Sequence, residues 1–209
     1  MSTGTVVLAH GAGSGPWIFD AWRSAFEGVT LVAPDLQEGL DVATASMGDY
    51  AGKIAEVLAG SERPVALCGW SMGGLVAAMA AQLAPPAALV LLEPSPPAET
   101  QGSDASVEVD VGSFDPEETY GRFPDGVSAR PESSAARSER KRGISIPHLD
   151  PSTLVVFGDE FTDERGRDIA RHYSCEQMHF PGLDHWGLVR SDEVSRALAA
   201  FCAERSSIG

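Results

Sequence analysis

Ser71 lies in Gly69-Trp70-Ser71-Met72-Gly73, with a glycine two residues away on either side. An apolar run, Pro64 to Leu67, leads into this stretch, and an alanine-rich run, Leu75 to Leu83, leaves it. The pattern predicts a strand, a tight turn and a helix. Glycines at 69 and 73 let strand and helix pack closely, while Ser71 takes a strained backbone conformation at the turn. Its hydroxyl then stands at a helix N-terminus, where the helix dipole favours developing negative charge. A serine hydroxyl is a weak nucleophile at neutral pH, so it needs a base within hydrogen-bond reach and a third group to orient that base. Five histidines are available, at positions 10, 148, 172, 179 and 185. His185 follows an apolar segment and a turn in Phe180-Pro181-Gly182-Leu183-Asp184-His185-Trp186. His10 opens His10-Gly11-Ala12-Gly13, directly after the apolar run Thr5 to Ala9.

These three segments, in this order and spacing, resemble those of a compact serine α/β-hydrolase. The resemblance covers the whole chain apart from about residues 98–148. It implies that Ser71 is the nucleophile of a G-x-S-x-G elbow and that His185, after the last strand, is the base. It implies that His10 holds loop backbone in place, and that the backbone N–H groups of Ala12 and Met72 form an oxyanion hole. His148, His172 and His179 read as structural or exposed. Serine at position 71 excludes the dehalogenase and epoxide-hydrolase branches, which use aspartate there. What remains is hydrolysis of an ester, thioester or lactone. The opening His10-Gly11-Ala12-Gly13-Ser14-Gly15-Pro16-Trp17 is similar to that of plant methylesterases and hydroxynitrile lyases. A lyase or cyclase using the same residues is therefore the alternative, and a catalytically degenerate binding module is the second. Trp17, Trp70 and Trp186 flank the three loops and favour a small apolar or aromatic acyl substrate. Nothing in the pattern asks for a metal or organic cofactor.

The third catalytic group departs from the family pattern. Counting from Gly158, the usual position of the acid is occupied by Phe161, and the loop that follows is shortened. Asp159 reaches His185 if the shortened turn brings it inward, with Glu160 and Asp163 as weaker versions of that idea. Glu93, at the end of the strand after the elbow helix, is the other candidate, because some haloalkane dehalogenases place their acid there. Its bland alternative is a strand-end carboxylate bonded to loop amides.

The elements that must carry these groups alternate in type. Strands are expected at Val6–Ala9, Val29–Ala33, the run before the elbow, Ala87–Leu92, Thr153–Phe157 and Gln177–Phe180. Helices are expected at Pro16–Phe26, from Ser46 or Asp49 to Ala59, after the elbow, at Glu164–Tyr173 and at Asp192–Arg205. Ser46 and Asp49 compete as caps, Gly60 closes that helix, and Ser191 caps the last one. Alternation predicts an α/β fold: a mainly parallel six-stranded sheet with helices on both faces. The family's pairing gives the order 2-1-3-4-5-6, without the family's two N-terminal antiparallel strands. Residues 1–209 read as one domain. Residues 98–148 lose the alternation, with Phe114, Tyr120 and Phe123 scattered among polar residues; the family carries a lid at this position, so the resemblance implies a small, polar, mobile lid, with a disordered insert of no role as the alternative. Its second half, from Pro131 to Arg142 with a stop at Gly143, reads as a helix. The basic run Arg137 to Arg142 would hold that lid shut or greet an anionic acyl group.

Composition narrows the rest. A formal net charge of −15 argues against nucleic acid and anionic membranes as partners. No apolar stretch approaches the ~20 residues needed to cross a bilayer. The opening residues carry no charged, cleavable apolar segment, so the expected location is cytoplasmic. The three cysteines, Cys68, Cys175 and Cys202, are too widely spaced for a zinc site and too few for a disulfide framework.

Overall fold

The computed structural model describes residues 4–107, 123, 125, 128–150 and 152–206. Met1–Thr3 and the lid residues Phe114 and Tyr120 lie outside them. Among the described residues six strands form one all-parallel sheet: β1 (Thr5–Ala9), β2 (Thr30–Val32), β3 (Val65–Trp70), β4 (Ala88–Leu92), β5 (Leu154–Phe157) and β6 (Glu176–His179). Their spatial order, β2-β1-β3-β4-β5-β6, is the one expected. β1, β3, β4 and β5 are buried along their whole length, which is why they read as unbroken apolar runs.

Alternate residues of each strand feed opposite faces of the sheet. Val7, Ala9, Leu67, Leu91, Val155 and Phe157 join α1 (Met47–Gly60), α2 (Met72–Leu83) and Ala136 in one core. Val6, Leu8, Cys68, Trp70, Val90 and Val156 join the Pro16–Ser24 helix and the C-terminal helix in the other. α1 starts as the sequence suggests, with both cap candidates in use. The Ser46 hydroxyl accepts from the Asp49 N–H at 3.0 Å, and the Asp49 carboxylate accepts from the Ser46 N–H at 2.8 Å, closing a capping box.

Three elements differ from expectation. Pro16–Ser24 is a 3₁₀ helix, anchored where the Trp22 indole donates to the Val189 carbonyl at 2.7 Å. The helix expected over Glu164–Tyr173 begins as a π-helix at Thr162–Arg167 before α5 (Asp168–Tyr173). The third concerns the insertion, where α3 (Ala98–Gln101) and α4 (Ser134–Arg142) are seated on the body rather than poised above it. Ser133 caps α4 and donates to the Ala45 carbonyl, Glu139 accepts from the Met47 N–H at 2.7 Å, and Ala136 is fully buried. Arg137 is buried, Arg140 pairs with Glu132, and Arg142 donates to the Val107 carbonyl at 2.8 Å. The basic run is thus mostly consumed in fixing this element, with Lys141 left at the surface.

Candidate active site

β3 passes into α2 through a single residue, Ser71, at φ 58°, ψ −125°. That conformation costs a non-glycine residue on the order of 1–3 kcal/mol and persists only where the surroundings over-determine it. Here they do. The Ser71 N–H donates to the Leu92 carbonyl at 3.0 Å, and the Ser71 carbonyl accepts from Ser95 at 2.9 Å and Gly74 at 3.0 Å. The two elbow glycines are forced by contact. A Cβ on Gly69 would lie 2.2 Å from the Gly73 carbonyl oxygen, and one on Gly73 would lie 2.1 Å from that of Ala9. Met72 is the first residue of α2, where a backbone N–H has no intrahelical acceptor.

The loop after β1 rests on the elbow. A Cβ on Gly11 would meet the Trp70 ring at 2.8 Å and Ser71 Cβ at 3.0 Å, so only glycine lets the chain pass this close to the nucleophile candidate. Ala12, next along, is buried. His10 is also buried. Its Nδ1 lies 2.9 Å from the Gly11 carbonyl and its Nε2 accepts from the Leu36 N–H at 3.1 Å, which suits a neutral ring protonated on Nδ1. Both nitrogens are therefore occupied with backbone. Arg130 closes this loop from the insertion side, donating its N–H to the Gly13 carbonyl at 2.8 Å and pairing with Asp35 at 3.0 Å.

His185 opens α6 (His185–Arg190), with Asp184 as N-cap accepting from the Gly187 N–H at 2.6 Å. The His185 Nδ1 lies 2.6 Å from Oε2 of Glu93. Glu93 is 0% exposed, and its other oxygen accepts from the Gly158 N–H at 2.8 Å. Like Ser71, it leaves its strand with positive φ, 34°. A charge-assisted bond this short to a fully buried carboxylate is among the stronger polar contacts a protein makes. Asp159 faces elsewhere: it accepts from the Gly182 N–H at 2.8 Å and pairs with His179 at 2.9 Å. The Gly182 amide first, and His179 second, hold its carboxyl below the usual carboxylate range. Glu160 accepts from the backbone N–H of His185 at 2.9 Å rather than touching the ring. Asp163 pairs with Arg167, and His148 and His172 stand exposed away from this group.

An aromatic wall surrounds the imidazole. The Trp70 ring lies 4.8 Å from both His185 and Trp186, and its indole donates to the His185 carbonyl at 3.1 Å. Phe123 packs on Trp186 at 4.9 Å, and Phe161 meets His185 edge-on at 5.4 Å. Trp17 packs instead beside Gly15 on the first loop. Phe161 thus stands against the histidine from the position where the family pattern expects the acid. Sequence reasoning missed the ring contacts of Phe161 and Phe123, the brace at Arg130, and α6. Only α6 had a local signal, since Asp184 is a good N-cap residue three before Gly187. Two clefts of about 340 and 370 Å³ open at the opposite, N-terminal ends of the strands and share no residue with this group. No helix among the described residues is long and apolar enough to cross a membrane.

Among curated proteins, none matches the sequence. Solved structures share the fold at low identity. A carboxylesterase of the thaumarchaeon Nitrososphaera gargenis is 19% identical at a TM-score of 0.69, covering 98% of this chain and 92% of that one. The RedJ thioesterase of the Streptomyces coelicolor prodiginine pathway is 19% identical at 0.64, covering 98% and 86%. An extracellular Paenibacillus α/β-hydrolase, described as homologous to tobacco salicylic acid binding protein 2, is 14% identical at 0.64, covering 97% and 98%. Residues 6–198, which include Ser71, Glu93 and His185, match the sequence pattern of a single family. The chain belongs to the alpha/beta hydrolase family.

Proposed function

We propose that the protein is a serine hydrolase of small acyl compounds, working through Ser71, His185 and Glu93. The observation that carries this reading is the buried Glu93 carboxylate 2.6 Å from His185 Nδ1. It fixes the imidazole tautomer with the proton on Nδ1, leaving Nε2 as the base for the Ser71 hydroxyl. Ser71 Oγ attacks the acyl carbonyl as Nε2 takes its proton, and Glu93 stabilises the imidazolium that forms. The oxyanion is held by the backbone N–H groups of Met72 and Ala12, each worth on the order of 3 kcal/mol in the transition state. The imidazolium returns its proton to the leaving oxygen or sulfur, and an acyl-enzyme remains. Water, deprotonated by the same nitrogen, then releases the acid. Asp159, the competing acid, is engaged with His179 and the Gly182 amide, which favours Glu93.

The substrate is read as carrying an apolar or aromatic group, because Trp70, Trp186 and Phe161 form the surroundings of the base. A carboxylesterase and a thioesterase among the structurally similar proteins are consistent with acyl transfer to water, although at 19% identity they speak for the fold alone. A fluorophosphonate probe tests the reading directly. It should add its mass to the peptide containing Ser71, and labelling should collapse in Ser71→Ala and His185→Ala. Folded protein that no probe labels would point to a binding module instead.

A further inference from the structure

The turn that leaves β5, Gly158-Asp159-Glu160, bonds both Glu93 and the backbone of the loop that carries His185. The Gly158 N–H donates to Glu93 Oε1 at 2.8 Å. The Asp159 N–H donates to the Leu183 carbonyl at 2.8 Å, and Asp159 Oδ2 accepts from the Gly182 N–H at 2.8 Å. Glu160 Oε2 accepts from the His185 N–H at 2.9 Å. Gly158 is held to glycine by the same approach, since a Cβ there would lie 2.1 Å from the Leu183 carbonyl oxygen. The Thr162 hydroxyl ties the turn back on itself, donating to the Gly158 carbonyl at 2.7 Å.

We propose that Asp159 and Glu160 are positioning residues, which splint the loop carrying His185 so that its ring stays in line with Glu93. This rests on the reading of His185 as base and Glu93 as its acid. The physical need is plain. Glu93 sits on a rigid strand end, whereas His185 follows a loop, Pro181–Asp184, whose residues are mostly at the surface. A catalytic constellation works only when held to within about 0.5 Å, and displacements of about 1 Å cost on the order of a hundredfold in rate. Two carboxylates on one short turn grip that loop at Gly182 and at His185 itself, and the Asp159 N–H grips Leu183. The same turn also grips Glu93. Acid and base are thus referenced to one piece of backbone. Each side chain holds the loop by accepting one N–H, Asp159 with its Oδ1 turned to His179, so asparagine and glutamine, which keep a carbonyl oxygen for that N–H, should replace them.

The test uses the full chain carrying Glu160→Ala, Glu160→Gln, Asp159→Ala or Asp159→Asn. The readouts are the rate of fluorophosphonate labelling, kcat and KM on p-nitrophenyl acetate, and the low-field proton resonance of His185 Nδ1–H. Each alanine variant should lose about ten- to a hundredfold in kcat and in labelling rate, with KM within about twofold, as expected for loss of a hydrogen bond to a charged acceptor that acts on geometry alone. The amide variants should stay within about threefold of the parent and keep the resonance, which the alanine variants should broaden or shift upfield. Both carboxylates stand at the surface, so their removal opens no core. Should an alanine variant melt early, kinetics below its melting point and the resonance of its folded fraction still decide. Alanine variants with parental kcat and an unchanged resonance overturn the proposal, as does Asp159→Asn as inactive as Asp159→Ala. A near-normal Glu93→Gln, measured alongside, would instead sink the underlying assignment of the acid.

Discussion

Glu93→Gln is the substitution on which the assignment of the acid turns. The two oxygens of Glu93, whose side chain is fully buried, each accept one N–H, from Gly158 at 2.8 Å and from His185 Nδ1 at 2.6 Å. A glutamine has one acceptor and one donor for these two donors. If its carbonyl keeps the Gly158 N–H, its NH₂ faces Nδ1, and the ring must move its proton to Nε2. The base is then lost, and turnover should fall by up to ~10⁴, equivalent to about 5.4 kcal/mol of transition-state stabilisation. If the amide turns the other way, two donors face each other at Gly158, at a cost of about 1–3 kcal/mol in stability. Turnover of a p-nitrophenyl ester, read beside a thermal melt, distinguishes the two. Turnover within about tenfold of the parent together with an unshifted melt would refute the reasoning.

The seated insertion predicts that Arg140→Ala is destabilising by ~3 kcal/mol, because it leaves the Glu132 side chain, 2% exposed, without its cation. Lys141→Ala next to it should change stability by no more than about 0.5 kcal/mol, and equal urea midpoints for the two variants would contradict the packing described for α4. Burial, with the nearby Asp150 charge second, pushes the Cys175 thiol up to about 11. Its thiolate should therefore be roughly a hundredfold scarcer at pH 8 than that of an ordinary thiol, and alkylation should quicken about tenfold per pH unit until that value is passed. Iodoacetamide labelling at the rate of a free thiol would refute this.

Much of the site was legible because its demands are local. Gly69 and Gly73 must be glycine wherever a strand turns into a helix within van der Waals contact of the preceding loop, as the contacts at Ala9 and Gly73 show, and they bracket Ser71 in the sequence. The strands were legible as apolar runs alternating with helices, and their order came from the resemblance to the family. Which of Glu93 and Asp159 lies against the His185 ring was not legible, because both follow an apolar strand and the difference lies in where the His185 loop comes to rest. The insertion misled for a related cause. Its charge suggests a solvated lid, yet Arg140 is matched to Glu132 and Glu139 to the Met47 amide, pairings between segments that local periodicity does not encode.

The register between β3 and β4 has a wider implication. Trp70 is paired with Leu92, so Ser71 and Glu93 step off neighbouring strands side by side, both with left-handed backbone. Their separation is thereby ruled by the inter-strand spacing of about 4.8 Å rather than by any loop. Connections on the far side of the sheet, such as the Pro85–Ala87 crossing into β4, can then lengthen or accept a fused peptide without shifting Ser71 against Glu93. The tip of β4 thus presents the carboxylate that meets the His185 ring, while the tip of β5 holds the loop before it through Gly182 and the His185 N–H.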